Sequence, residues 1–243
     1  MIYSTKGIVL RTVKYGETSV IAAIFTEMFG IQSYIVNGVR VHGKTSRAHF
    51  FQPSSILDME VYHSELKNLQ RIKDLNWSYL YRNILSDVTK NAVALYMVEL
   101  LQKCLKQPES NPDLFQFCEN AFLQLDASDA EVTANFPLYF CLQLAYFFGF
   151  SLRNNYSDER NLFNCREGNF ADKILVKDHF VEAGISYYIS QLLKAMQPSD
   201  LPEIKINKNI RGTILTALEN YYACHIPEFG LLKTLPVLHE LLG

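Results

Sequence analysis

The chain has no Cys-x-x-Cys pair. Its five cysteines, Cys104, Cys118, Cys141, Cys165 and Cys224, are scattered and odd in number. That excludes a disulfide framework and a zinc site with paired ligands. The expectation is reduced, buried thiols in a cytosolic protein, with no metal and no cofactor. No apolar run approaches the roughly 18 residues of a membrane span. Met1-Ile-Tyr-Ser-Thr-Lys6 lacks a basic region followed by an apolar one, so no secretory leader is expected. There is no internal repeat and no low-complexity tract. Neither sign of charge dominates: 23 Lys and Arg stand against 25 Asp and Glu.

What is present is an ordinary globular composition, 49% hydrophobic over 243 residues, enough for one or two domains. The near-neutral total hides an asymmetry. Residues 1–80 carry nine Lys/Arg and six Asp/Glu, whereas residues 81–243 carry fourteen and nineteen. No acid falls between Glu27 and Asp58, and Arg40, Lys44 and Arg47 lie in that gap. A polyanion would be drawn to this region more than the overall charge suggests; a solvated basic loop is the bland alternative.

Hydrophobic periodicity divides the chain near residue 78. Before it, short runs rich in Val, Ile, Thr and Tyr predict strands over 7–13, 19–25, 31–39, 55–63 and 66–75. In the fourth, Leu57, Met59 and Val61 alternate with Asp58, Glu60 and Tyr62, the period of a strand with one wet face. The fifth does not alternate cleanly and is placed by its neighbours. Five such strands suggest a small closed barrel of OB type. After Trp77 the spacing turns helical. Leu114, Phe117, Cys118, Ala121, Phe122 and Leu125 recur on one face, preceded by Asn111-Pro112-Asp113 as cap, first-turn proline and dipole-matched acid. Further helices are expected over 79–106, 134–148, 182–196 and 207–223, with a short one over 235–242. Residues 154–177 are polar and weakly periodic and read as an irregular, zinc-less connection. The fold class is therefore α+β in two parts, a barrel over 1–78 and an α-helical domain over 79–243.

Several motifs compete for chemistry. Gly38-Val-Arg-Val-His-Gly43-Lys44-Thr45 matches the phosphate-cradling P-loop pattern. Its context does not fit, because Pro53 stops any helix after about two turns and an alternating strand follows. An NTPase using Gly43, Lys44 and Thr45 stays the weaker alternative. Cys165 with His179 could pair as nucleophile and base on paper, yet no oxyanion hole is visible, and a surface thiol is the simpler reading. Most aromatics sit at helical core spacing. Tyr15, Tyr34, Phe50, Phe51 and Tyr62 differ in lying close in sequence to Lys14, Arg40 and Arg47. Cations with aromatics on one barrel face can track a phosphate backbone and stack bases, though pattern alone does not separate this from a core aromatic set.

Gly7-Ile-Val-Leu-Arg-Thr, Tyr15-Gly-Glu-Thr, Phe25-Thr-Glu-Met-Phe-Gly30, Asn37-Gly-Val-Arg40 and Gln52-Pro53 resemble, in order and spacing, the start of RecO-family proteins. Leu66-Lys-Asn-Leu fits the family's fifth strand. Asn220-Tyr-Tyr-Ala-Cys-His225 and Leu232-Lys-Thr-Leu235 are similar to its C-terminal segment. Many members carry a four-cysteine zinc site after the central helices; here Asn161–Gly168 keeps one cysteine, so the resemblance does not bring zinc. It implies an OB barrel packed on a helical domain. It also implies a non-enzymatic recombination mediator that binds and anneals single-stranded DNA and helps load recombinase in DNA repair. The implied partners are single- and double-stranded DNA, RecR, single-stranded-DNA-binding protein and RecA, in the bacterial cytoplasm at the nucleoid, with no membrane. The residues expected to contact DNA are Arg11, Lys14, Tyr34, Arg40, Lys44 and Arg47. A competing class is an OB-type protein-interaction module that never meets nucleic acid.

Overall fold

A computed structural model describes residues 1–39, 47–173 and 180–242. Two compact units emerge: Met1–Arg82 with Leu105–Leu123, and Asn83–Cys104 with Gln124–Gly243. The first unit thus takes in a second, later segment, which a single boundary near residue 78 does not provide.

The first unit is built on five strands, β1 (Ile2–Tyr15), β2 (Ser19–Thr26), β3 (Gly30–Val36), β4 (Ile56–Tyr62) and β5 (Leu69–Tyr79). They close into an OB-type barrel in the order β1-β2-β3-β5-β4. One long strand, β1, serves both neighbours. Its first half pairs with β4 and most of its length with β2, with a register shift between Val9 and Arg11. A bulge there bends the strand, as barrel closure requires. Gly7 lies two residues before the shift, where β1 pairs with both neighbours, and an added Cβ there would meet Met59 Cε at 2.5 Å and Ile24 Cγ2 at 2.6 Å.

In β4, Leu57, Met59 and Val61 are buried and join Val9, Ala22, Ile24, Tyr34, Phe51 and Leu75 in the barrel core. The strand β5 starts later and runs further than its sequence predicts. Its pairing with β4 slips twice, between Ile56 and Leu57 and between Glu60 and Val61, which explains the broken alternation. A short helical turn, Ala48–Phe51, precedes β4 and inserts Phe51 into the core. The Thr12 hydroxyl donates to the Phe51 carbonyl at 2.9 Å, tying the turn to β1.

Among the described residues the α-helices that follow are α1 (Val88–Cys104), α2 (Pro112–Ala127), α3 (Ala130–Phe147), α4 (Ala183–Leu192), α5 (Lys208–His225) and α6 (Leu235–Leu241). Asn111 caps α2 as expected, accepting from Leu114 N at 2.9 Å. The helix expected from residue 79 begins nine residues later, at Val88. Residues up to Tyr79 are spent on β5, and Asp87 caps the helix by accepting from Thr89 N and Lys90 N at 2.8 and 3.0 Å.

The connection expected to be irregular contains a small sheet of β6 (Leu162–Asn164), β7 (Asn169–Ala171) and β8 (Phe180–Val181), ordered β7-β6-β8. Its asparagines are structural. Asn155 clamps Phe170 through both amide atoms, at 2.8 and 2.9 Å, and Asn164 accepts from Arg166 N and Glu167 N in the hairpin turn. Cys165 in that turn is buried, not a surface thiol, and burial pushes its pKa up to about 11.

Candidate nucleic-acid interface

Strand alternation assigns faces to the cations. Along β1, Arg11 pairs with Ala23 and Val13 with Ile21, while Thr12 pairs with buried Ala22 and Lys14 with buried Val20. Arg11, Val13 and Tyr15 therefore look outward from the barrel, and Lys14 lies on the opposite face of the same strand. The outer rows continue across the sheet. Ala23 meets Ser33, which meets Leu69; Ile21 meets Ile35, which meets Arg71. The result is an outer surface with Val13, Ile21, Ile35 and Leu69 between two guanidinium groups, Arg11 and Arg71. Val13 and Leu69 are exposed, and Ile21 and Ile35 are half-buried.

Two other sites of the six expected contacts can be examined. Arg47 is exposed, immediately before the short helical turn. Tyr34 is fully buried in the barrel core, so it does not offer its ring to a base. Its hydroxyl has no hydrogen-bond partner among the described residues, and burial pushes its pKa well up. The physical reason is register: Tyr34 pairs with Ala22 and Gln70, both inward positions. Arg40 and Lys44 lie outside the described residues. Of the aromatics flagged beside the cations, Phe51 is core, Phe50 packs half-buried against the core, and Tyr15 and Tyr62 are exposed.

The cations fall into two groups. Lys6 is bound to Glu119 and Lys73 to Glu60, each at 2.7 Å, on a side of the barrel that also carries Asp58 and Asp74. The hydrogen bond from Lys6 to Glu119 raises the lysine pKa. Arg11, Lys14, Arg47 and Arg71 make no ion pair among the described residues. A cation without a protein carboxylate is available to a phosphate. Sequence reasoning missed Arg71, Val13, Ile21 and Ile35. The alternation of residues 11–15 contained the signal for one row, but the parallel pairing of β3 with β5 that brings Arg71 in is a tertiary fact.

The P-loop context fails in three dimensions as well. The strand after Gly38–Thr45, β4, runs antiparallel between β1 and β5 and does not pair with β3, so no βαβ unit exists there. Among the described residues no group of three or more His, Cys, Asp or Glu is placed to hold a metal ion. Nor is any described helix long and apolar enough to cross a membrane.

Comparison with known proteins accounts for both units. The family described as "Recombination protein O N terminal" matches residues 1–81, and "Recombination protein O C terminal" matches residues 85–234. The "DNA repair protein RecO" of Phocaeicola vulgatus is 30% identical over 243 residues, 99% of each chain. That of Christiangramia forsetii is 30% identical over 247 residues, covering all of both chains. The protein of the same description from Azobacteroides pseudotrichonymphae is 27% identical over 99% of each chain. Matched along nearly its whole length by both family descriptions and by full-length relatives, this chain belongs to the RecO family of DNA repair proteins.

Proposed function

We propose that the protein is a non-enzymatic recombination mediator that binds DNA through its barrel, anneals complementary strands and helps load recombinase. The observation that carries this reading is the outer barrel surface on which unpaired Arg11 and Arg71 flank Val13, Ile21, Ile35 and Leu69. Guanidinium groups neutralise phosphates, and the apolar strip between them receives bases without reading their sequence. Neutralising two strands at once lowers their mutual repulsion, which is the physical requirement for annealing. Arg40, Lys44 and Arg47 add positive charge in the long acid-free interval of the sequence, and Lys14 adds to it from the other face of β1. The proposed partners are single- and double-stranded DNA, RecR, single-stranded-DNA-binding protein and RecA, met in the cytoplasm at the nucleoid.

The test is binding of a labelled single strand, by fluorescence anisotropy, across a range of salt concentrations. Replacing Arg40, Lys44 and Arg47 together with Ala should weaken binding and reduce the magnitude of the salt slope by about two to three units. Arg11→Ala with Arg71→Ala should reduce it by about one to two. An unchanged slope in both variants removes the barrel from the interface.

A further inference from the structure

The short helical turn ahead of β4 brings together three rings, one of them exposed. His49 lies 4.4 Å from Phe50 between ring centroids, at 35°; Phe50 lies 4.8 Å from Trp77, at 34°; and His49 lies 5.9 Å from Trp77, at 32°. Phe50 and Trp77 are half-buried and pack against the barrel core, Trp77 beside its strand partner Leu57, and His49 is exposed. All three angles are shallow, so no ring of the three stands edge-on to another. Aromatic pairs packed only for burial favour edge-on as readily as offset-stacked contacts. The other exposed histidine stacked on a phenylalanine, His225 on Phe150, is accounted for: its Nε2 lies 3.1 Å from the Arg166 carbonyl, and Tyr221 and Tyr222 beneath it donate to the Phe150 and Cys141 carbonyls. His49 has no such hydrogen bond among the described residues.

Charge selects what would cover the rings. His49 and Phe50 follow Arg47 directly and lie inside the interval from Glu27 to Asp58 that holds no acid. On β1, Thr12 ties this turn to the strand, and Lys14 is on the same strand face as Thr12. We infer that His49, Phe50 and Trp77 form a stacking platform for an unpaired base of a single DNA strand, with Arg47 beside it for the adjoining phosphate. The inference rests on the DNA-binding reading above and adds to it a specific place for a base. A base inside a duplex is already stacked on both faces and cannot lie on the platform, so the site distinguishes single strands from duplex.

The chain has one tryptophan, so emission excited beyond the tyrosine absorption band reports on Trp77 alone. The full-length protein is titrated with an oligothymidylate while Trp77 emission is recorded, and a labelled oligothymidylate is followed by anisotropy in parallel. The expected result is saturable quenching with the same midpoint as the anisotropy, and little quenching by a duplex of equal length at saturation. His49→Ala removes only an exposed ring and should weaken single-strand binding about fivefold or more without changing the salt slope, whereas Arg47→Ala should change the slope. His49→Phe should restore binding. Circular dichroism of each variant establishes that it is folded. Saturation of the labelled strand with Trp77 emission unchanged, equal quenching by duplex, or parent-level binding by folded His49→Ala overturns the platform and leaves the DNA-binding reading standing. No binding of the labelled strand by the parent protein overturns both.

Discussion

His63 lies at the end of β4 with its ring stacked on Phe29, centroids 3.9 Å apart, and its Nδ1 buried without a partner among the described residues. Burial lowers its pKa below the ordinary 6.5, with Glu65 acting in the opposite direction. A depressed histidine favours the neutral ring in the fold. Its contribution is therefore present above pH 6.5 and lost as pH falls through the folded value. Urea unfolding of the parent should show a loss of stability on that acid side, and His63→Phe should flatten it. Asp126 contributes through bonds made rather than missed. Its buried carboxylate accepts from Asn83 N and Ile84 N at 2.8 and 2.9 Å just ahead of α1. Asp126→Ala leaves two inward amides without that acceptor and should cost about 3 kcal/mol in chemical denaturation, with Asp126→Asn losing less. At this scale residue type signals exposure better than it signals which way a ring points. Arg11 and Arg47 are exposed as their types suggest, but nothing local says that Tyr34 pairs with inward Gln70.

The turn between β2 and β3 illustrates how an element is fixed by a few atoms. Thr26 Oγ1 accepts from Phe29 N at 3.1 Å and donates to the Gly30 carbonyl at 2.9 Å. Gly30 itself has φ of 62°, and an added Cβ would meet the Glu109 carbonyl oxygen at 2.1 Å. Gly30→Ala should lower stability by about 1–3 kcal/mol from backbone strain alone, and more if the 105–110 segment is displaced. Thermal melts would measure it; an unchanged midpoint would mean the turn relaxes freely. The alternation of β4 and the Asn111-Pro112 start of α2 were legible, because each is a local signal. The elements missed are those whose signal is not local. The sheet β6–β8 has strands of two or three residues, too short for any period to register, and is held by the Asn155 clamp on Phe170. Twice-slipped pairing erased the alternation of β5.

At the scale of the whole molecule, the barrel unit is discontinuous in sequence. Phe25, with no exposed surface, has its ring 5.5 Å from Phe115, and Lys6 reaches Glu119, so the 105–123 segment completes the first unit. A fragment ending at residue 82 should then expose the surface around Phe25. It should bind a hydrophobic dye, and a peptide of residues 105–123 added in trans should suppress the binding. A fragment as resistant to hydrogen exchange as the barrel in the intact protein would refute this. The same discontinuity has a temporal side. On a ribosome, all five strands have been made once residue 79 is added, yet the segment that covers Phe25 arrives only with residue 123, after α1. At about 5–20 residues per second that interval lasts about two to nine seconds. Throughout it the newborn barrel carries an uncovered apolar flank, a window in which a nascent-chain chaperone has something to hold.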